Sequence, residues 1–409
     1  MNYIETLKYI HSLGNFSLKP GLDRIKSVLK ALDNPQNEFK SIHVAGTNGK
    51  GSVSAMLASV FKTAGFKTGL FISPFVIDFR ERIQINGEFI SQNDLVKYSE
   101  IIKNTNITLN EFEFITATAF LYFREKGIDL LICETGLGGR LDATNTLENL
   151  SATVITKIGL DHTGILGETI EEIALEKCGI LRDCPNITSH NQEKAVLEII
   201  KKKSKNNHIP EITDLKLLDG GLGNSFIYKG ERYDIALTGD YQIENALIAI
   251  ETVRNSGYGI SYKDLYTGLK NAFFPARMEL ISKNPLVVLD GAHNPDGALA
   301  LSRELSKHSG RVTAVIGMCK DKDYPEFLKT TLIHCKNAVA VNIKDMPRSL
   351  ECEELSAKAN EFCSCFASSD YTDAIEKAVS LSGGNPIFVF GSLYLASAIR
   401  PYLKNFFKN

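Results

Sequence analysis

The sequence predicts an α/β protein with parallel sheets covered by helices, and three observations lead there. Apolar strand-like runs alternate with helix-period segments over most of the 409 residues. One such run, Ser41–Ala45, empties into a glycine-rich turn, Gly46-Thr-Asn-Gly-Lys-Gly-Ser52, that leads into an amphipathic segment. A second strand-and-helix series starts after Phe274-Pro275-Ala276-Arg277. A chain of this length exceeds what one core usually serves, so two domains are expected. Residues 1–275 form a nucleotide-type domain with a small antiparallel region, and residues 276–409 a C-terminal α/β domain, with Pro275 and Pro285 bracketing the joint.

In chain order, apolar runs place strands at Ser41–Ala45, Thr68–Ile72, Asp129–Glu134 and Thr153–Ile158. Helical periodicity lies between them, over Ser52–Ala64, Asn93–Lys103, Glu113–Lys126 and Ile170–Cys178. The lysine-rich stretch Lys201–His208 has no interleaved aromatics and reads as a solvated helix end. From Leu215 to Leu237 the pattern changes to short alternating runs broken at Gly220-Gly221, Gly223-Asn224 and Lys229-Gly230, the signature of antiparallel hairpins. Helices return at Gln242–Arg254 and Lys263–Ala272, and the second series has strands at Leu286–Leu289, Val312–Ile316, Ala338–Val341 and Ile387–Phe390.

Composition narrows the function. Hydrophobic residues make up 44%, charged residues 23%, and the net charge is -2, which argues against bulk attraction to nucleic acid or an anionic membrane. Small-molecule partners are expected. No stretch approaches a membrane span, and Met1–Pro20 is too polar for a secretory signal, so a cytoplasmic chain is expected. The eight cysteines are scattered; the one tight pair, Cys363 and Cys365, lacks the spacing of a zinc half-site, which points to free thiols.

Three strand-end clusters carry chemistry. Gly46, Gly49 and Gly51 let the backbone turn its N–H groups toward oxygen anions, with a helix N-terminus behind them and Lys50 to neutralise outer phosphates. Ser52 offers a hydroxyl where such loops hold Mg2+, although the spacing is shorter than the common G-x-x-x-x-G-K-[ST] form. Glu134 ends an apolar run and opens Glu134-Thr-Gly-Leu-Gly-Gly-Arg-Leu-Asp-Ala-Thr-Asn145; a carboxylate there is placed to hold a metal on nucleotide phosphates. Within that loop Arg140 and Asp142 either lock the loop through a salt bridge or take part in function. His162 lies in a third strand-end loop, where it is either a ligand of the same metal or a satisfied polar residue. Lys177 sits on the helix that follows, and nothing in the sequence gives a reason to bury it.

Five ordered blocks then carry a resemblance that covers nearly the whole chain. They are Gly46–Ser52, Ser73-Pro74-Phe75 with Arg80–Gly87, Gly136–Asn145, Asp161-His162 and Leu289–Pro295, continuing to Phe390-Gly-Ser-Leu-Tyr394. Together they resemble the folylpolyglutamate synthase and dihydrofolate synthase family of the Mur ligase superfamily. The resemblance implies an N-terminal Mur-ligase-type ATPase domain with a P-loop and folate site, and a Rossmann-like C-terminal domain on the glutamate-ligase side of the cleft. It implies an ATP- and Mg2+-dependent ligase that joins L-glutamate to dihydropteroate, to the γ-carboxyl of reduced folates, or to both, through an acyl phosphate. A monomer is expected.

By the same resemblance, Gly46, Thr47, Asn48, Gly49, Lys50, Gly51 and Ser52 hold the ATP phosphates, and Ser52, Ser73, Glu134 and His162 hold Mg2+. Lys177 matches a lysine that the family carbamylates, turning a cation into an anion for a second Mg2+. Here Cys178 follows it where a small residue is usual. Adenine and ribose contacts fall on Gln242, Asn245 and Asp290; the alternative for the first two is an exposed helix face. Arg277 matches a phosphate-contacting arginine, with Ala276 standing where the family has glycine, and His293 could place the phosphoryl group or the incoming glutamate. Pterin and benzoate contacts correspond to Leu22, Asn110, Phe112 and Ala143, with Phe112 either stacking on a flat ring or serving the core. Another Mur-type ligase and a non-catalytic nucleotide switch are the competing readings.

Overall fold

The computed structural model describes residues 1–14, 21–218 and 224–408. Its first unit is centred on a sheet of eight strands among these residues: β1 (Lys40–Ala45), β2 (Thr68–Phe71), β3 (Ile83–Ile85), β4 (Glu88–Phe89), β5 (Leu130–Glu134), β6 (Leu150–Ile155), β7 (Asn186–Thr188) and β8 (Asn207–His208). Their spatial order is β4-β3-β2-β5-β1-β6-β7-β8. β1 pairs in parallel with β5 on one side and β6 on the other, and every residue of β1 after Lys40 is buried. Two apolar clusters pack against the sheet. One packs Phe71, Leu131 and Cys133 against Phe114, Phe120 and Phe123; the other gathers Ala45, Ile155, Ile173 and Val196. Strands covered on both faces read as continuous apolar runs, which is why they were legible.

Among the boundaries that differ from the sequence expectation, three have clear physical reasons. The helix after β1 starts at Lys50 rather than Ser52, because Gly49 adopts a left-handed φ of 91° and turns the chain directly into it. β6 stops at Ile155 rather than Ile158, because the Lys157 carbonyl leaves the sheet ladder and accepts the N–H groups of Thr47 and Asn48, at 2.9 and 3.2 Å. The lysine-rich stretch is only partly a helix end: after the helix Lys194–Lys203, Asn207 and His208 pair with Asn186 and Ile187 at the sheet edge. Main-chain pairing of that kind leaves no compositional trace.

A separate three-stranded sheet holds β9 (Lys216–Leu218), β10 (Asn224–Tyr228) and β11 (Glu231–Ile235), with β9 and β10 antiparallel. Lys229 and Gly230 turn between β10 and β11 with φ of 49° and 78°, the positive pair that a tight hairpin requires. The expected breaks at Gly220-Gly221 and Gly223 lie outside the described residues. The helices Tyr241–Asn255 and Tyr262–Lys270 follow.

The second unit is built mainly from Leu237–Gln242 and Phe274–Asn409. Its sheet contains β12 (Glu279–Lys283), β13 (Leu286–Leu289), β14 (Val312–Ile316), β15 (Cys335–Val341), β16 (Ser364–Ser368) and β17 (Ile387–Phe390), in the order β12-β13-β17-β14-β15-β16. All pairings are parallel except the edge hairpin β12–β13. No helix of the described residues is long and apolar enough to cross a membrane.

The segment that enters this unit is strained and then fastened. Ala276 and Met278 adopt φ of 52° and 50°, a left-handed conformation that costs an ordinary residue about 1 kcal/mol. The buried carboxylate of Glu279 accepts the Ala276 N–H at 3.1 Å and the Arg400 guanidinium at 2.8–3.0 Å, with Lys404 Nζ at 3.1 Å. Burial pushes the Glu279 carboxyl up, but the Arg400 fork and the Ala276 N–H outweigh it and hold the carboxyl below its usual 4.5. Its stabilisation is therefore complete above that value and is lost as pH falls through the lower folded-state value. Glu279→Gln should cost about 2–4 kcal/mol by leaving Arg400 without its counter-charge. Thermal unfolding from pH 7 to pH 3 should show the variant's deficit shrinking below pH 4.5.

Candidate active site

The C-terminal ends of β1, β2, β5 and β6 bring together the turn Gly46–Lys50, Ser73, Glu134 and the loop at Lys157. The turn is stapled from below, since the Thr47 hydroxyl donates to the Gly159 carbonyl at 2.9 Å and accepts the Gly159 N–H at 3.1 Å. Lys50, Gly51 and Ser52 occupy the first helical turn, where N–H groups have no intrahelical acceptor and the positive end of the helix dipole lies. Gly49 is required twice over. Its φ of 91° disfavours a side chain, and a Cβ there would lie 2.4 Å from Asn245 Oδ1. Asn245 is thus buried against the turn, not on an exposed helix face.

The Gly46 carbonyl is shared by two amines. Lys50 Nζ donates to it at 3.1 Å and Lys177 Nζ at 2.8 Å. Lys177 is 4% exposed, the opposite of the surface position its helix suggested. Burial, followed by repulsion from Lys50, pulls its pKa down to about 7. Glu134, also buried, accepts the Ser73 N–H at 3.2 Å and stands 4.0 Å from Lys50 Nζ.

The glycine-rich loop after Glu134 packs against the end of the helix that carries Lys177. Its backbone touches the end of the Lys177 helix so closely that a Cβ at Gly139 would lie 2.6 Å from the Lys177 carbonyl. The Arg140 N–H donates to the Glu176 carbonyl at 2.8 Å, and Asn145 Nδ2 reaches the carbonyls of Arg140 and Gly179 at 3.0 and 3.2 Å. The Arg140–Asp142 salt bridge, one of the two readings of that loop, is not formed. Arg140 pairs with Glu176 at 2.8 Å, while Asp142 accepts the N–H groups of Leu137 and Thr144 as a cap inside the loop. Arg182, which sequence reading passed over, donates to Asn145 Oδ1 at 2.7 Å and completes the junction.

His162 is exposed, at φ of 52°, and its backbone N–H is held by Asp161 Oδ1 at 2.9 Å. Among the described residues, no group of three His, Cys, Asp or Glu gathers to hold a metal by itself. Asn110 caps the helix Glu111–Lys126, and the Glu113 carboxylate that completes this capping box also pairs with Arg24 at 2.8 Å. Phe112 lies over Gly136, where a Cβ would be 2.4 Å from the ring, and its centroid is 5.9 Å from that of Phe71. Ala143 is buried and Leu22 half-buried.

In the second unit Gln242 is buried, again unlike an exposed helix face. Asp290 is buried at the end of β13, where its carboxylate accepts the N–H groups of Met278 and Ala292, each at 2.8 Å. Burial pushes its pKa up, while Arg277 opposes the shift. His293 Nδ1 lies 2.9 Å from the Gly291 carbonyl, just ahead of the helix Pro295–Ser306.

Parallel α/β units with a glycine turn and a carboxylate at adjacent strand ends define the class. Residues 44–253 match the Mur ligase middle domain, and residues 276–393 match the Mur ligase glutamate ligase domain. The chain is 37% identical over 432 residues to the dihydrofolate synthase/folylpolyglutamate synthase of Bacillus subtilis, covering 98% of this chain and 99% of the relative. E. coli FolC in complex with DHPP and ADP superposes with a TM-score of 0.88 at 27% identity, covering 99% of this chain and 98% of that one. The Mycobacterium tuberculosis folylpolyglutamate synthase complexed with ADP and AMPPCP gives 0.86 at 28% identity, over 98% and 99% of the two chains. The chain belongs to the dihydrofolate synthase/folylpolyglutamate synthase family, and it is an ATP-dependent amino-acid ligase.

Gly49→Ala should weaken ADP binding by tenfold or more, since left-handed strain alone is worth about 1–2 kcal/mol and the clash with Asn245 adds to it. Isothermal titration calorimetry measures the loss, and the thermal midpoint shows whether the fold persists.

Proposed function

We propose that the chain carries both activities of its family: it joins the α-amino group of L-glutamate to the carboxyl of dihydropteroate, and to the γ-carboxyl of folate glutamate tails. The observation that carries this reading is the convergence of Lys50, Lys177 and Glu134 on the glycine turn. A carboxylate is a poor electrophile until phosphoryl transfer from ATP converts it to an acyl phosphate, so the site's task is to align phosphate and carboxylate and to neutralise charge. The turn Gly46–Ser52 acts as the P-loop, its first-turn N–H groups facing phosphate oxygens. Lys50 follows the charge of the transferring group, and the glutamate amine then attacks the activated carbonyl, releasing phosphate and leaving ADP as co-product.

The donor set fits Mg2+, a hard cation that takes one or two carboxylates and hydroxyls beside substrate phosphates. Glu134 with Ser52, Ser73 and His162 would hold it, and when bound it would neutralise phosphate oxygens. Asn245 is assigned to the nucleotide by its contact with the turn, and Gln242, Arg277 and Asp290 by resemblance, with His293 serving the phosphoryl group or the glutamate. Leu22, Asn110, Phe112 and Ala143 are assigned to the pterin and benzoate side.

Burial of Lys177 supports its carbamylation. An amine with a pKa of about 7 is substantially unprotonated at neutral pH, so its lone pair is free to attack CO2. The C–N bond forms and one proton leaves to solvent. The product is an anion that keeps an N–H for the Gly46 carbonyl and replaces repulsion with Lys50 by attraction. It would join a second Mg2+.

Mass analysis of products from dihydropteroate, tetrahydrofolate, glutamate and ATP tests the reading; both dihydrofolate and lengthened folate tails are expected, and one product alone would reduce the function to that activity. Lys50→Ala should lower turnover on the order of 100-fold or more at saturating ATP with little change in stability. Lys177→Ala should lose activity to a similar extent, with partial rescue by small carboxylic acids, and 13C-bicarbonate should label the wild-type lysine. An active, unlabelled enzyme would remove the carbamate from the mechanism.

A further inference from the structure

We propose that His43 and Thr144 form a positioning pair that holds the loop 136–147, and Ala143 within it, in register with the central strand for binding of the carboxylate-bearing acceptor; this rests on the acceptor assignment of Ala143 above. His43 lies in the middle of β1, fully buried, with Cys133 of β5 and Thr153 of β6 as its lateral neighbours. Its Nε2 is 2.8 Å from the Thr144 hydroxyl, while its Nδ1 has no hydrogen-bond partner among the described residues.

The proton inventory fixes the direction of the contact. Asp142 accepts from the Leu137 N–H, the Thr144 N–H and the Thr144 hydroxyl. Thr144 has one hydroxyl proton, so once that is given to Asp142 its lone pair accepts from His43 Nε2–H. The other tautomer would bury an unpaired donor at Nδ1, the more costly arrangement. The relay therefore runs His43 to Thr144 to Asp142, from the sheet to the loop.

Stability alone gives no reason for a polar pair here. The other buried residues of β1 include Ile42, Val44 and Ala45, and replacing both members of a hydrogen-bonded pair by apolar groups of the same shape is close to neutral. What the pair adds is direction. β1 is clamped by ladders on both sides, so it is the fixed end and the loop is the end that moves if the bond is lost. The loop's other ties, Arg140 with Glu176 and Asn145 with Arg182 and Gly179, flank Ala143 and Thr144 and run to a different element. Losing the His43 contact leaves Ala143 held by those ties, its own packing and the loop's cap, but no longer registered on β1.

Steady-state kinetics of Thr144→Val, Thr144→Ser and His43→Leu in the full chain test this. Thr144→Val should raise the KM for dihydropteroate about tenfold, the equivalent of one buried hydrogen bond, while the KM values for ATP and glutamate stay within about twofold. Thr144→Ser keeps the hydroxyl and should restore the acceptor KM. His43→Leu leaves the Thr144–Asp142 bond intact and should move the acceptor KM in the same direction, which keeps the test open if Thr144→Val does not fold. An unchanged acceptor KM in both disrupting variants, equal rises in all three KM values, or a Thr144→Ser enzyme as impaired as Thr144→Val would overturn the pair. A wild-type chain that makes no amide from dihydropteroate would overturn the acceptor reading and the pair with it.

Discussion

The parallel pairing of β1 with strands on both sides is the constraint on which the site depends. A strand clamped this way cannot slide by one residue without turning every side chain to the opposite face and breaking register with both neighbours. Gly46 therefore leaves the sheet at a fixed height, and Glu134, four strands later in the chain but adjacent in the sheet, leaves at a matching one. The Lys157 carbonyl, freed from the ladder, then takes the N–H groups of Thr47 and Asn48 and anchors the turn. The turn is held by sheet geometry, and the helix N-terminus behind it is left to interact with anions.

Electrostatics follow from that placement. Two amines meet on one carbonyl in a buried site, an arrangement that disfavours double protonation. The protein accommodates it by lowering the proton affinity of Lys177, the more deeply buried of the two. Close main-chain packing of Gly139 on the helix end that carries Lys177 accompanies that burial.

Much of the fold was legible because the strands are buried on both faces: β13, β14 and β17 coincide with their expected ranges. The edge strands β4, β8, β12 and β16 and their short neighbours β3 and β7 were not, since short outer strands are defined by main-chain pairing rather than apolar content. Within the site, the glycines, Lys50 and Glu134 stood out because each residue type falls at the end of an apolar run. Lys177 read as a surface lysine, because its burial depends on contacts far along the chain; Gln242 and Asn245, for which an exposed helix face was the alternative to a nucleotide contact, are buried. The same reason hid the partner of Arg140: Asp142, two residues away, was the obvious choice, yet its carboxylate is consumed by capping its own loop. His43 in an apolar strand gave no sign of its hydroxyl partner, 101 residues further on.

The grip of Arg400 on Glu279 sets an order of events during synthesis. The two residues are separated by 121 positions, so the left-handed Ala276–Met278 segment emerges from the ribosome long before the guanidinium that secures it exists. Closing so distant a contact is entropically slow and waits for the intervening parallel strands to assemble. Arg277 is therefore among the last functional groups to be locked in place, and a nascent chain can complete its glycine turn well before it can complete the surroundings of that arginine.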